Sequence, residues 1–149
     1  MDDETPTIVW RAGPDLTTAE LHDLLKLRVD VFVVEQQCAY PEVDGRDLLD
    51  ASHHAWIEVA GSIAASVRLL LDHVPPQIGR VVTDPDYRGQ RLAERLLADA
   101  HARAGEQGSF LEAQSYLVGW YSRQGWQPCG DEFIEDGIPH VPMQRAALS

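Results

Sequence analysis

The sequence predicts a layered α/β domain of the α+β type, built around one mixed sheet. Three observations lead there. Strand-like and helix-like stretches interleave in the order β α β β β α β α β β. A chain of 149 residues can bury a real core without disulfides or structural metal. The apolar run Val81-Val82-Thr83 stops at Pro85 and re-enters an amphipathic helix through a short basic turn containing Gly89.

Thr7 to Arg11 alternates and is bounded by Gly13-Pro14, which predicts a first strand. Thr17-Thr18-Ala19-Glu20 has capping-box form and starts a helix running to about Val33. Leu21, Leu24, Leu25 and Phe32 make one stripe on that helix, with Arg28 in its middle. A charge so placed needs a carboxylate partner or a ligand. From Glu35 to Asp50 periodicity gives way to Glu35, Glu42, Asp44, Asp47 and Asp50 among turn signals, a long loop that is either a solvated face or functional.

His54 to Val59 and Ile63 to Leu71, joined by Ala60-Gly61-Ser62, read as a hairpin. Gln77 to Thr83 is the next strand. Leu92, Ala93, Leu96, Leu97, Ala100 and Ala104 then mark one face of a helix ending near Gly105 or Gly108. Phe110 to Gln114 is a strand, Leu117 to Gln124 a helix stopped by Gly125, and Trp126 to Phe133 a strand. Asp136-Gly137 turns the chain into a last strand around His140 to Arg145. There is no internal repeat, and residues 1–149 read as a single domain.

A net charge of −12 disfavours nucleic acid and anionic lipid, whose affinity comes largely from Lys and Arg. The start Met1-Asp2-Asp3-Glu4-Thr5-Pro6 lacks the basic and apolar regions of a signal peptide, and no apolar run is long enough to span a bilayer. A cytoplasmic protein is expected. Cys38 and Cys129 are too few and too far apart for a disulfide framework or a metal pair. Against this acidic background Arg88, Arg91 and Arg95 gather at the start of the second long helix. Its free N–H groups and positive dipole end make an anion site there.

Two motifs at a fixed separation now meet a known pattern. Arg88-Gly89-Gln90-Arg91-Leu92-Ala93 resembles the acyl-CoA-binding motif of the GNAT acetyltransferase superfamily, and Trp120-Tyr121-Ser122-Arg123-Gln124-Gly125-Trp126 resembles its aromatic-Tyr signature. Leu27 to Gln36, Asp44-Gly45-Arg46-Asp47, His54 and Glu135 to His140 are similar to the ElaA-like branch, so the resemblance spans nearly the whole chain.

The resemblance implies a GNAT fold: a mixed, mostly antiparallel sheet of about six to seven strands, its fourth and fifth strands splayed, flanked by helices. It implies acetyl-CoA as cosubstrate, with Val81, Val82 and Thr83 pairing with the pantetheine arm and Arg88, Gly89, Gln90, Arg91, Leu92 and Ala93 cradling the pyrophosphate. Arg91 departs from the pattern, which has a second glycine there. Gln114 stands where many relatives carry Asn, and either amide can bond the cofactor.

The chemistry expected is direct transfer of an acetyl group to a primary amine of a small molecule or peptide. Tyr121 is the expected general acid, and a backbone N–H of Val82 or Thr83 the oxyanion donor. Glu35 is the first candidate base, acting through a water or holding a cationic amine. Arg28, His54, Trp120 and His140 are candidates for the acceptor side. Members of the superfamily often dimerise, so a homodimer is compatible with the resemblance. Two other readings remain: a non-catalytic acyl-CoA-binding regulator, suggested by Arg91 and the lack of an obvious base, and an acyl-homoserine-lactone synthase, suggested by the early helix and acidic loop.

Overall fold

In a computed structural model of the chain, residues 6–148 are described; the polar start read from Met1 to Thr5 lies outside them. The elements are β1 (Ile8–Ala12), α1 (Thr18–Arg28), β2 (Ser52–Val59), β3 (Ser62–Leu70), β4 (Gln77–Thr83), α2 (Leu92–Ala104), β5 (Ser109–Gln114), α3 (Val118–Ser122), β6 (Gln127–Pro128), β7 (Phe133–Glu135) and β8 (Ile138–Arg145). They form one sheet in the order β1-β2-β3-β4-β5-β8-β6, with β7 also paired to β8. Only β4 and β5 run parallel; the other pairings are antiparallel.

Local chemistry explains most of these boundaries. Thr17 caps α1 through both capping-box bonds, its hydroxyl accepting from Glu20 N–H and the Glu20 carboxylate accepting from Thr17 N–H. Beyond Arg28 the helix widens into π-type turns over Val29–Glu35, where Gln36 N–H reaches back to the Val31 carbonyl at 3.0 Å. Four valines in those seven residues crowd a tight α-turn. The turns joining β2 to β3 and β7 to β8 use Ala60-Gly61 and Asp136-Gly137, all four at positive φ, as a two-residue hairpin demands.

The strand expected over Trp126 to Phe133 is instead two short pieces, β6 and β7, both laid along β8. Pro142 of β8 accounts for the break: its carbonyl accepts from Cys129 N–H at 2.8 Å, but it has no N–H to return. The helix expected over Leu117 to Gln124 is shorter, with a 3₁₀ turn at Ser115–Leu117 ahead of α3.

α1 and α2 cover opposite faces of the sheet. Adjacent residues of a strand point to opposite faces, and Val82 packs with Leu27 and Val31 while Val81 joins the larger cluster containing Leu96, Leu97 and Ala100. Leu92, Leu96 and Leu97 of α2 are buried against β2, β3 and β4, each worth roughly 1.5–3 kcal/mol.

The acidic loop is largely an internal counterion store. Glu42 and Asp47 are buried beside three arginines: Arg28 of α1, Arg68 of β3 and Arg80 of β4. Burial works against the charge of Asp44 and Asp47. Hydrogen bonds from Arg68 to Asp44 and from Arg28 to Asp47 prevail and hold both carboxyls below the usual range. Burial likewise pushes the His54 and His101 imidazoles down.

These directions fix the acid response. The aspartates give stability that is present above about pH 4 and is lost as pH falls through their depressed folded values. The two histidines bind protons more readily unfolded than folded, so the native state also weakens as pH drops below about 6.5. Urea midpoints measured from pH 7 downward are expected to fall through both windows; a flat profile to pH 4 contradicts the assignment.

Candidate active site

β4 and β5 pair at only two positions, Gln77 with Phe110 and Ile78 with Leu111. Beyond Ile78 they separate. The cause lies within β4, where Ser66 faces Val82 and Arg68 faces Gly79, leaving one extra residue on the β4 side. Arg80, at φ 52°, occupies that bulge. Its guanidinium is tied to Glu42 Oε2 at 2.8 Å and the Glu42 carbonyl at 3.1 Å. Gly79 was the sequence signal for the bulge, since glycine inside a strand marks such a kink.

The parted strands expose one edge of β4. Asp84 N–H donates to the Ala64 carbonyl at 2.8 Å while Thr83 faces Ala65. By the alternation of an antiparallel ladder, the Thr83 N–H and C=O therefore point into the cleft. Val82, one residue back, turns its N–H toward Ser66. Of the two oxyanion donors expected from sequence, Val82 is thereby excluded.

Two connected cavities fill the opening. The inner one, about 200 Å³, is bounded by residues from Gln77 to Val81 of β4, Glu112 and Gln114 of β5, and the β7–β8 hairpin. An outer one of about 760 Å³ runs from Val81, Val82 and Thr83 past Glu35, Arg88, Ala93, Trp120 and Arg123. Phe32, Gln36, Val81, Tyr116, Leu117 and Tyr121 line both, so the junction lies there.

Tyr121 is 7% exposed and sits at the junction. Its ring is held edge-on by Trp120 (4.9 Å) and Trp126 (6.3 Å). Burial pushes its phenol well above the usual range, so it carries its proton at neutral pH. No hydrogen bond among the described residues engages its hydroxyl. His140 lines the inner cavity, stacked on Phe133 at 5.6 Å. Its Nδ1 lies 2.8 Å from the Ile138 carbonyl, which can only accept, so Nδ1 carries the proton and Nε2 is left as the basic nitrogen.

The turn expected to cradle phosphate lies directly ahead of α2. Gly89 lies at φ 84° with open space around it, and Arg91, at φ 61° and ψ 25°, is the residue before α2. Among the described residues, no side chain caps the first helical N–H groups. Arg91 thus takes a left-handed conformation that suits glycine and costs about 1–2 kcal/mol for other residues. Leu92 is buried in the core, while Ala93 and Arg88 reach the outer cavity. Arg95, counted with the cradle cations from sequence, donates instead to the Pro6 carbonyl at 2.7 Å.

Five other expected site residues are placed differently. Glu35 grips Arg88 in a two-pronged pair at 2.5 and 2.9 Å. Its hydrogen bond from Arg88 holds its carboxyl below the usual range, which makes it a poor base. It also lies on the outer cavity, away from the inner chamber. Arg28 is buried, bonded to Glu42 and Asp47, and touches neither cavity. His54 is buried with Nε2 at 2.8 Å from the Asp47 carbonyl, and likewise touches neither. Trp120 lines the outer cavity only, whereas Gln114 lines the inner one, with its Nε2 3.5 Å from Gln36 Oε1.

Sequence reasoning missed Phe32 and Gln36, which the π-type turns swing into the cleft, and Arg123, a second cation on the outer cavity beside Arg88. Glu112 was missed as well. It was read only as one residue of a strand, and its position on the inner wall follows from the splay.

A splayed pair of parallel strands inside an otherwise antiparallel sheet, followed by a helix with no side-chain cap at its start, is the arrangement of the GNAT fold. The model for the acetyltransferase (GNAT) domain matches residues 21–147, and the chain belongs to that family. Within it, the chain is 47% identical over 142 residues to UPF0039 protein Rv2851c of Mycobacterium tuberculosis, covering 92% of this chain and 90% of that protein. The crystal structure of an acyl-CoA N-acyltransferase from Pseudomonas aeruginosa is similar at TM-score 0.87 and 38% identity, over 95% of this chain and 100% of that one. Escherichia coli ElaA is similar at TM-score 0.84 and 32% identity, over 93% of this chain and 99% of that one.

The reassignment of Arg28 yields a test. Arg28→Met strands Glu42 and Asp47 beside fewer cations in a buried site, and is expected to lower unfolding free energy by about 3–5 kcal/mol in urea melts. A change no larger than that of a surface substitution would sink the structural assignment.

Proposed function

We propose that the chain is a single-domain, cytoplasmic N-acetyltransferase that moves an acetyl group from acetyl-CoA to a primary amine by direct attack. The observation that carries this reading is Tyr121: a buried phenol without a protein partner, at the junction of a long outer channel and a small inner chamber. The cosubstrate fits the outer channel. Thr83 offers outward backbone groups to the pantetheine amides, and the uncapped N–H groups ahead of α2, with Arg88, Arg91 and Arg123 nearby, offer a site for its phosphates. Acetyl-CoA supplies an acyl group activated as a thioester.

The chain's own residues account for each remaining requirement. An amine in the inner chamber attacks at the junction, forming the N–C bond as the C–S bond breaks. The outward N–H of Thr83 meets the charge that develops on the carbonyl oxygen. His140 Nε2 receives the proton leaving nitrogen, and the Tyr121 hydroxyl gives its proton to the departing sulfur. The similar P. aeruginosa structure is that of an acyl-CoA N-acyltransferase, the same class of transfer.

Free-thiol release from acetyl-CoA with a panel of primary amines tests the reading. Tyr121→Phe is expected to reduce kcat by about 10²-fold or more while cosubstrate affinity, followed by calorimetry, is kept. His140→Gln is expected to cost more activity than Glu35→Gln. Tight cosubstrate binding with no transfer to any amine would favour the regulator reading instead.

A further inference from the structure

The inner chamber carries a charge pattern that the transfer chemistry alone does not require. Glu112 of β5 and Glu135 and Asp136 of the β7–β8 hairpin all line it. No ion pair engages any of the three among the described residues. The one arginine on the chamber wall, Arg80, has its guanidinium committed to Glu42 and Asp44. Glu112 also bears the mark of crowding: burial first, and then the charge of Glu135, pushes its carboxyl above the usual range. His140, the Gln77 amide and His73 pull weakly the other way. Glu112 and Glu135 repel each other until a cation joins them, and Asp136 lines the same space.

The same chamber holds a second, independent pointer to a ligand. Tyr121, 7% exposed, is a buried polar side chain that opens on this space with no hydrogen-bond partner among the described residues. The His140 ring, whose Nδ1 is bonded to the Ile138 carbonyl, sits on the same wall. Polar groups for a reacting amine therefore lie at one end of the chamber, and uncompensated negative charge lies around its rim. Its volume of about 200 Å³ suits a short-chain molecule and is small beside typical ligand pockets.

We infer that the acceptor is a small dicationic amine, one end entering uncharged between His140 and Tyr121 and the other held as an ammonium by Glu112, Glu135 and Asp136. This rests on the transferase reading above and deepens it. An amine has to be neutral to attack, so the charge that the rim recognises must lie on a second nitrogen. A monoamine leaves the carboxylates unpaired, and an amino acid adds a fourth negative group to them. Diamines meet both requirements.

Butane diamine, butylamine and aminobutanoate share a chain length and differ in charge at the far end, so they separate the possibilities. Thiol release with acetyl-CoA is expected to give the diamine a kcat/KM roughly tenfold or more above the other two, the scale of a few partly exposed charge pairs acting together. That preference is expected to reside in KM and to shrink at high salt, because the rim is open to solvent. Glu112→Gln and Glu135→Gln are each expected to lower the diamine-to-monoamine ratio, with melting midpoints reporting that both variants fold. Transfer to butylamine or aminobutanoate with no diamine preference overturns the dication assignment and leaves the transferase reading standing. No transfer to any of the three, from protein that binds the cosubstrate, overturns both.

Discussion

The parting of β4 from β5 is the constraint on which the rest of the structure depends, and one residue in an unfavourable conformation keeps it in place. Arg80 sits at positive φ inside a strand, a position that costs about 1–2 kcal/mol for a residue other than glycine. Its side chain offsets that cost by reaching the carboxylate and carbonyl of Glu42 and the Asp44 carboxylate. Those acids are in turn shared with Arg28 and Arg68. The acidic loop thus acts as a clamp. It joins the end of α1, the middle of β3 and the bulge of β4 through charges that cannot leave the interior unpaired. Because each carboxylate serves more than one guanidinium, the end of α1 and the bulge cannot move separately.

That arrangement also bears on how a chain of net charge −12 could hold the anionic cosubstrate proposed for it. Three of its arginines are consumed in the interior, while Arg88, Arg91 and Arg123 stay at the surface near the start of α2; Arg88, paired to Glu35, and Arg123 line the outer cavity. The excess acid is free to collect elsewhere, including the far side of the same cleft. One continuous opening therefore changes sign along its length, cationic where phosphates would lie and anionic where an amine would enter. Tyr121, uncharged, marks the crossing.

Much of the fold was legible in the sequence because short-range chemistry decides it. The capping box at Thr17, the hairpin turns at Ala60-Gly61 and Asp136-Gly137, and the stripe from Leu92 to Ala104 each depend on residues a few positions apart. The turn at Gly89 ahead of α2 was legible for the same reason. What the sequence concealed was pairing at a distance. Arg28 and Glu42 stand 14 residues apart, and Arg80 and Glu42 stand 38 apart, so nothing local distinguishes a buried ion pair from a ligand-binding arginine. Glu35 misled for the opposite reason. It closes a helix at the mouth of an acidic loop, which suggests a base, yet Arg88, 53 residues on, occupies its carboxylate. Glu112 could not be placed at all until the splay showed which edge of β5 faces an opening.

The role proposed for Tyr121 as general acid raises an apparent difficulty that its environment resolves. A phenol pushed above its usual range is a weaker acid, and a weaker acid seems ill suited to protonate a leaving thiolate. But the same burial that penalises phenolate penalises any other anion formed at that junction, including the thiolate it is meant to protonate. Both values rise together, and the difference between them, which governs proton transfer, changes far less than either one. The aromatic walls of Trp120 and Trp126 therefore do two things at once: they keep the phenol protonated until it is needed, and they make a bare sulfur anion an unfavourable product. A charged acid such as a lysine ammonium in the same position would lose its proton to burial before any substrate arrived. A neutral phenol gains from the desolvation that would disable a cation.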